Sequence, residues 1–181
     1  MKRIFDILFS FTGIIILSPV FIIISFLIII DSRGGIFYKQ IRVGKNNIDF
    51  RLYKFRSMKP DSAKAGLLTI GRKDSRISRV GYFLRKHKLD ELPQLFNILK
   101  GDMSFVGPRP EVRKYVELYN ENQKRVLNAK PGLSDYASLK YINENEILGK
   151  AENPEKLYIE EIMPAKLKLN LKYIFRKGFY Y

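Results

Sequence analysis

Residues Ile4 to Ile30 read IFDILFSFTGIIILSPVFIIISFLIII, a run of 27 residues of which 20 are Ile, Leu, Phe or Val. On the membrane-insertion scale those side chains contribute about -6 to -12 kcal/mol, enough to hold the segment in a bilayer. The run is too long for a signal peptide, and no small-residue cleavage site follows it. Length alone favours a spanning helix. Two details point elsewhere. Ser18-Pro19 lies mid-run, where proline removes a backbone hydrogen bond and bends a helix, and a neighbouring serine hydroxyl can satisfy a freed carbonyl. Basic residues also flank both ends, Lys2 and Arg3 before, Arg33, Lys39, Arg42 and Lys45 after, so both ends read as cytoplasmic. A helix broken at Ser18-Pro19 that enters and leaves through one leaflet satisfies both details. A kinked spanning helix is the alternative.

The chain has 181 residues, enough for one compact domain and too few for a second full one, and carries a formal charge of +15. The charge is uneven. Residues 32–100 hold 17 basic and 5 acidic side chains, +12 of the total. Such a block calls for an anionic partner: lipid head groups, nucleic acid or a phosphorylated substrate. With no cysteine, disulfides and thiolate metal sites are excluded. His87 is the single histidine, so a histidine metal cluster or a Ser-His-Asp triad would have to use it, and no partner pattern surrounds it. Neither a P-loop nor a GxGxxG occurs.

Beyond a Gly34-Gly35 break, IFYKQIRV and IDFRLYKF alternate about a Gly44-Lys45-Asn46-Asn47 turn, predicting a β-hairpin. Residues 59–75 read as a loop. A helix is expected from Asp74 or Ser75, presenting Ile77, Val80 and Leu84. Another is LPQLFNILKG, with Pro93 in its first turn and Gly101 past its end. A third follows Pro110 with Val112, Tyr115, Val116 and Tyr119 inward. The last follows Pro164, with Leu167, Leu171, Ile174 and Phe175 on one face and Lys166, Lys168, Lys172 and Arg176 mostly on the others. That basic amphipathic helix suits either an anionic membrane surface or packing on the core.

Asp90 and Glu91 lead the candidates for chemistry, because they precede a proline-started helix inside the most basic stretch. Helix N-termini favour phosphate there, although acidic capping alone gives the same pattern. A carboxylate pair can hold Mg2+ while the metal keeps phosphate oxygens in its octahedron. Lys54, Arg56, Arg85, Lys88 and Arg109 are the cations that could help, although any one of them taken singly reads better as solvated basic surface drawn to lipid.

KFRSM (Lys54 to Met58), RISRVGYFLRKHKLDELPQLFNILKGDMSFVGPRP (Arg76 to Pro110) and KPG (Lys130 to Gly132) resemble the bacterial sugar transferase family, more narrowly the small monotopic phosphoglycosyl transferases. KRIFD (Lys2 to Asp6), Ser18-Pro19 and QIRVG (Gln40 to Gly44) fall in the same order, so the likeness runs from residue 2 to about residue 132. The resemblance implies an α+β fold: a re-entrant membrane helix over residues 1–31 broken at Ser18-Pro19, then a small, mainly helical catalytic domain over 32–181 with a β-hairpin and amphipathic interfacial helices. It implies Asp90 as nucleophile, Glu91 as Mg2+ ligand, and Lys54, Arg85 and Arg109 as phosphate-binding or site-organising residues. The reaction implied moves sugar 1-phosphate from a UDP-sugar to polyprenyl (undecaprenyl) phosphate and releases UMP. The place implied is the cytosolic face of the bacterial inner membrane. The expected partners are membrane lipid, the polyprenyl phosphate acceptor and the UDP-sugar donor, not nucleic acid, with a homo-oligomer left open.

Past Gly132 the sequence departs from the family pattern, reading LSDYASLKYINENEIL where many members continue Thr-Gly and then an aromatic or Leu-Ala-Gln segment. Glu155 is the candidate for the further acidic residue. The additional N-terminal spans of larger relatives are not seen, so the chain reads as close to a minimal catalytic unit. The competing reading is a membrane-anchored basic protein that binds or assembles without catalysis. It does not explain two carboxylates set beside Arg85, Lys86, His87 and Lys88.

Overall fold

The computed structural model describes residues 1–60 and 74–176. Most of the loop expected over 59–75 therefore lies outside the described residues. The fold is mixed, mostly helical with two small sheets. The described residues fall into two compact units: 1–40, 52–60 and 74–100 in the first, 41–51 and 101–176 in the second.

The first unit begins with α1 (Lys2–Ile16) and α2 (Ser18–Asp31), which meet at Leu17 with a bend of 61°. Proline is tolerated at the start of α2, where its missing N–H has no helical partner to lose. The Ser18 hydroxyl donates to the Ile15 carbonyl at 2.8 Å. The break thus falls where the sequence predicts it. Among the described residues no single helix is long and apolar enough to cross a membrane, while the bent pair passes that test together.

Much of the apolar run faces outward; Ile22 and Ile30 are 70% and 67% exposed. One stripe of α2 does not. Ile24 and Ile28, four residues apart on one helix face, are buried with Phe55 and Leu84, and Val20, Phe21, Leu89 and Leu92 pack around them. Polar clasps fix the same arrangement. Arg3 donates to the carbonyls of Ile98 and Leu99 at 2.5 and 2.8 Å, and Arg56 donates to those of Ser32 and Arg33 at 2.6 and 2.8 Å. Both guanidiniums sit on helix C-terminal carbonyls, where cations are favoured.

The expected hairpin is present as β1 (Phe37–Val43) and β2 (Asp49–Phe55), with Asn46 and Asn47 taking positive φ in the turn. Asparagine tolerates that region better than most residues. The next helix, α3 (Arg79–Lys86), begins later than expected. Ser78 caps it by accepting from the Gly81 N–H at 3.0 Å, whereas Asp74 binds Arg76 and Ile77 bridges to Met58. Asp74 is thus a turn residue and not the helix start. α4 (Gln94–Lys100) likewise begins one residue past Pro93, and Gly101 beyond it has φ 102°.

In the second unit, β3 (Ser104–Val106) pairs in parallel with β4 (Gly132–Ser134), Ser104 opposite Gly132. This pairing was not anticipated. The strands are three residues each, too short for a period-two signal. Between them come α5 (Arg113–Val116) and α6 (Glu121–Lys124). Val112, Tyr115, Val116 and Tyr119 are all buried as expected, although α5 is only one turn long.

Then follow α7 (Tyr136–Lys140), α8 (Glu144–Gly149), α9 (Pro154–Leu157), a π-helical turn (Tyr158–Ile162) and α10 (Met163–Arg176). Leu167, Leu171 and Ile174 point inward as predicted. Lys166 does not belong to an open basic face. Its ammonium binds Glu144 at 2.7 Å, leaving Lys168 and Lys172 exposed.

Candidate active site

The LDEL segment is built as an anchor. Lys88 takes a left-handed conformation, φ 58°, and turns the chain out of α3 into a single 3-10 turn, Leu89–Glu91. In a 3-10 turn residues i and i+3 line up on one side. Leu89 and Leu92 use that alignment to enter the core formed by Ile24, Ile28, Phe55 and Leu84. Asp90 and Glu91, between the two anchors, are held on the remaining sides. Both are buried, at 6% and 9% exposure.

Cations reach this pair from two other elements. Lys54, near the end of β2, places its ammonium 3.0 Å from Glu91 Oε1, with both side chains largely out of solvent. Arg85, in the last turn of α3, acts on Asp90 and Glu91 electrostatically. Burial pulls its guanidinium below the usual arginine range, and the negative charge of Asp90 opposes that pull.

Two backbone features bring β2 and α3 to the same place. A Cβ on Gly81 would stand 2.0 Å from the Ser57 carbonyl oxygen, so glycine lets α3 lie directly on the strand's extension. Ser78 N–H then donates to that same Ser57 oxygen at 3.1 Å. From beneath, Asn97 of α4, fully buried, accepts from the Tyr53 N–H at 2.9 Å, next to Lys54. Asn97 and Gln94 were missed in the sequence. Their signal was available, since two amides three residues apart in an otherwise apolar helix lie on one face.

The structure therefore gathers Lys54, Arg85, Asp90 and Glu91 in the first unit. Arg56 clasps the end of α2, and Lys88 and His87 are exposed beside α3, with the His87 ring 4.6 Å from that of Phe83.

Arg109 belongs to the second unit. It sits between two buried prolines, and its N–H donates to Asp135 Oδ2 at 3.1 Å. Gly107 and Gly132, of GPRP and KPG, touch backbone to backbone in the same unit. Glu111, just after GPRP, is a hub that the sequence did not reveal. It accepts from Arg42 at 3.0 Å and from the Tyr158 hydroxyl, and burial with this carboxylate nearby drives the Tyr158 pKa far upward. Glu155, the weaker candidate, pairs with Lys114 near the surface of this unit.

The donor set bears on metal binding. Among the described residues no group of three or more His, Cys, Asp or Glu side chains could enclose an ion. Two adjacent carboxylates fit an ion that completes its octahedron with water and substrate phosphate, the habit of Mg2+.

Comparison with known proteins decides the family. A family model described as bacterial sugar transferase matches residues 1–180. The chain belongs to the bacterial sugar transferase family. It is 46% identical over 119 residues to a Bacillus subtilis (strain 168) protein provisionally described as an undecaprenyl-phosphate N-acetylgalactosaminyl 1-phosphate transferase, covering 66% of each chain. It is 42% identical to the UDP-N-acetylgalactosamine-undecaprenyl-phosphate N-acetylgalactosaminephosphotransferase of Aeromonas hydrophila, over 77% of this chain and 34% of that one. It is 34% identical to the UDP-glucose:undecaprenyl-phosphate glucose-1-phosphate transferase of Klebsiella pneumoniae, over 98% of this chain and 40% of that one. This family member thus spans 66% or less of the length of these three relatives.

Proposed function

We propose that this chain is a phosphoglycosyl transferase that moves sugar 1-phosphate from a UDP-sugar to polyprenyl phosphate, releasing UMP, at the cytosolic face of the bacterial inner membrane. The observation that carries the reading is the buried Asp90-Glu91 pair with Lys54 and Arg85 against it. A binding protein for anions gains nothing from carboxylates at the heart of its basic surface, because they repel the ligand. A phosphoryl-transfer enzyme needs them. The relatives' names, which specify undecaprenyl phosphate and sugar phosphate transfer, agree with that chemistry.

In the mechanism we favour, the Asp90 carboxylate attacks the β-phosphorus of the donor. The bond from that phosphorus to the bridging oxygen breaks, UMP leaves with the oxygen, and an aspartyl phosphosugar remains. A phosphate oxygen of the polyprenyl acceptor then attacks the same phosphorus. The aspartyl bond breaks, Asp90 returns as carboxylate, and a polyprenyl diphosphosugar is the product. Lys54 and Arg85 offset the repulsion between a carboxylate and an anionic phosphorus. Glu91, with substrate oxygens, would hold Mg2+, which when bound supplies further neutralisation of the donor phosphates.

The bent pair α1–α2 is read as a re-entrant anchor: one face of α2 packs on the catalytic core while the remaining apolar surface meets lipid. Purified protein given UDP-sugar, polyprenyl phosphate and Mg2+ should release UMP and form the lipid diphosphosugar. Retention of both substrates unchanged, across the UDP-sugars of the relatives, would return the chain to the binding-protein reading.

A further inference from the structure

Glu91 is assigned above to a divalent cation, yet in the structure its Oε1 lies 3.0 Å from the Lys54 ammonium. Both side chains are mostly shielded, at 19% and 11% exposure. A Mg2+ ion demands about 2.0–2.1 Å to its oxygens. If it took the same Oε1, the two cations would stand roughly 4 Å apart in a shielded site, and through the other carboxylate oxygen not much farther. Such like-charge contact disfavours joint occupancy.

We infer that Lys54 is a place-holder for the divalent cation on Glu91, and that the donor diphosphate and the metal therefore bind cooperatively, Lys54 moving from Glu91 to the phosphates as they enter. This rests on the proposed metal role of Glu91 and adds to it an order of events. Without donor, Lys54 pairs with the buried carboxylate and, with the nearby charge of Arg85, offsets the cost of burying it. When a diphosphate enters, it offers the ammonium acceptor oxygens of greater negative charge. Glu91 is then released to the metal that the diphosphate brings with it.

The geometry of the strand supports a side chain that can make this exchange. Lys54 stands on β2, whose backbone is pinned by Asn97 at the neighbouring Tyr53 N–H, and the adjoining Phe55 is 1% exposed in the core. The mobile part is the four-carbon stem of a lysine, which reorients at little backbone cost. An arginine could not serve equally, being a fixed planar fork. By linkage, whatever factor the diphosphate adds to metal affinity, the metal adds to diphosphate affinity.

The experiment measures Mn2+ binding by electron paramagnetic resonance on the full chain in detergent or nanodiscs, without nucleotide, and UDP binding by calorimetry. In Lys54→Met, Mn2+ should bind about tenfold or more tighter than in the wild type, because the competitor is gone, while UDP should bind more weakly. Mn2+ should also raise the thermal midpoint of Lys54→Met more than that of the wild type, and Lys54→Gln provides a second, polar variant should Met disturb folding. Unchanged or weaker Mn2+ binding in both folded variants would overturn the inference and make Lys54 a support for the metal site. Glu91→Gln separates the two levels. If it abolishes Mn2+ binding while Lys54→Met brings no gain, place-holding fails and the metal role of Glu91 stands; if it binds Mn2+ as the wild type does, the metal role itself fails.

Discussion

Gly107 and Gly132 lie in direct backbone contact: a Cβ on Gly132 would stand 2.1 Å from the Gly107 nitrogen, and one on Gly107 would stand 2.3 Å from the Lys130 carbonyl oxygen. Hydrogen bonds run alongside, from Gly107 N–H to Ser134 and from Gly132 N–H to Pro108, at 3.1 and 2.9 Å. The glycines of GPRP and KPG are therefore two halves of one joint that carries Arg109. Neither neighbour is a side chain that could move aside. Gly132→Ala should destabilise the chain by about 1–3 kcal/mol or more, as overpacking of a rigid site does, and denaturant titration in detergent reads it. A neutral effect would mean that the two loops can separate.

The burial of Ile28 predicts an asymmetry within the apolar run. Ile28 is 2% exposed and Ile29 is 55% exposed, although both belong to the same membrane-like sequence. Ile28→Ala should cost about 2–5 kcal/mol of stability, while Ile29→Ala should stay within about 0.5 kcal/mol. Equal effects would mean that α2 does not pack on the catalytic core.

How much of this was legible beforehand follows from the range of the forces involved. The break at Ser18-Pro19 and the hairpin about Asn46-Asn47 are local, set by proline and by turn chemistry, and the sequence predicts both. The inward face of α10 follows from helical period, while Val112 and Tyr119 are buried from outside the single turn of α5. What escaped was non-local. The β3–β4 pairing joins segments 28 residues apart, Ser104 to Gly132, and leaves no short-range pattern. The Arg42–Glu111–Tyr158 cluster and the Arg3 and Arg56 clasps draw partners from distant segments. At the site, Asp90 and Glu91 could be singled out by their basic surroundings. The way they are held could not, because it depends on Leu89 and Leu92 entering a core supplied partly by α2. Lys166 was misplaced on an open basic face for the same reason, its partner Glu144 lying 22 residues away.

Metal dependence is expected from the donor set. With two adjacent carboxylates and a diphosphate substrate, EDTA should abolish turnover, and Mg2+ or Mn2+ should restore it. Full activity in EDTA would remove Glu91 from its assigned place.

Topology is testable in this cysteine-free sequence. If α1 and α2 form a re-entrant pair, single cysteines at Lys2 and at the exposed Lys172 should react with an impermeant reagent from the same side of sealed vesicles. Labelling from opposite sides would mean that the bent pair crosses the bilayer.

The covalent role of Asp90 is the central claim, and trapping tests it most directly. Donor labelled in its sugar, supplied with Mg2+ but without polyprenyl phosphate, should leave about one label per active chain. The label should map to Asp90, yield to hydroxylamine, and pass to added lipid phosphate, and steady-state kinetics should be ping-pong. Asp90→Asn should take up no label and lose turnover. Sequential kinetics, with no adduct trapped at residue 90 in protein that turns over normally, would contradict the nucleophile assignment.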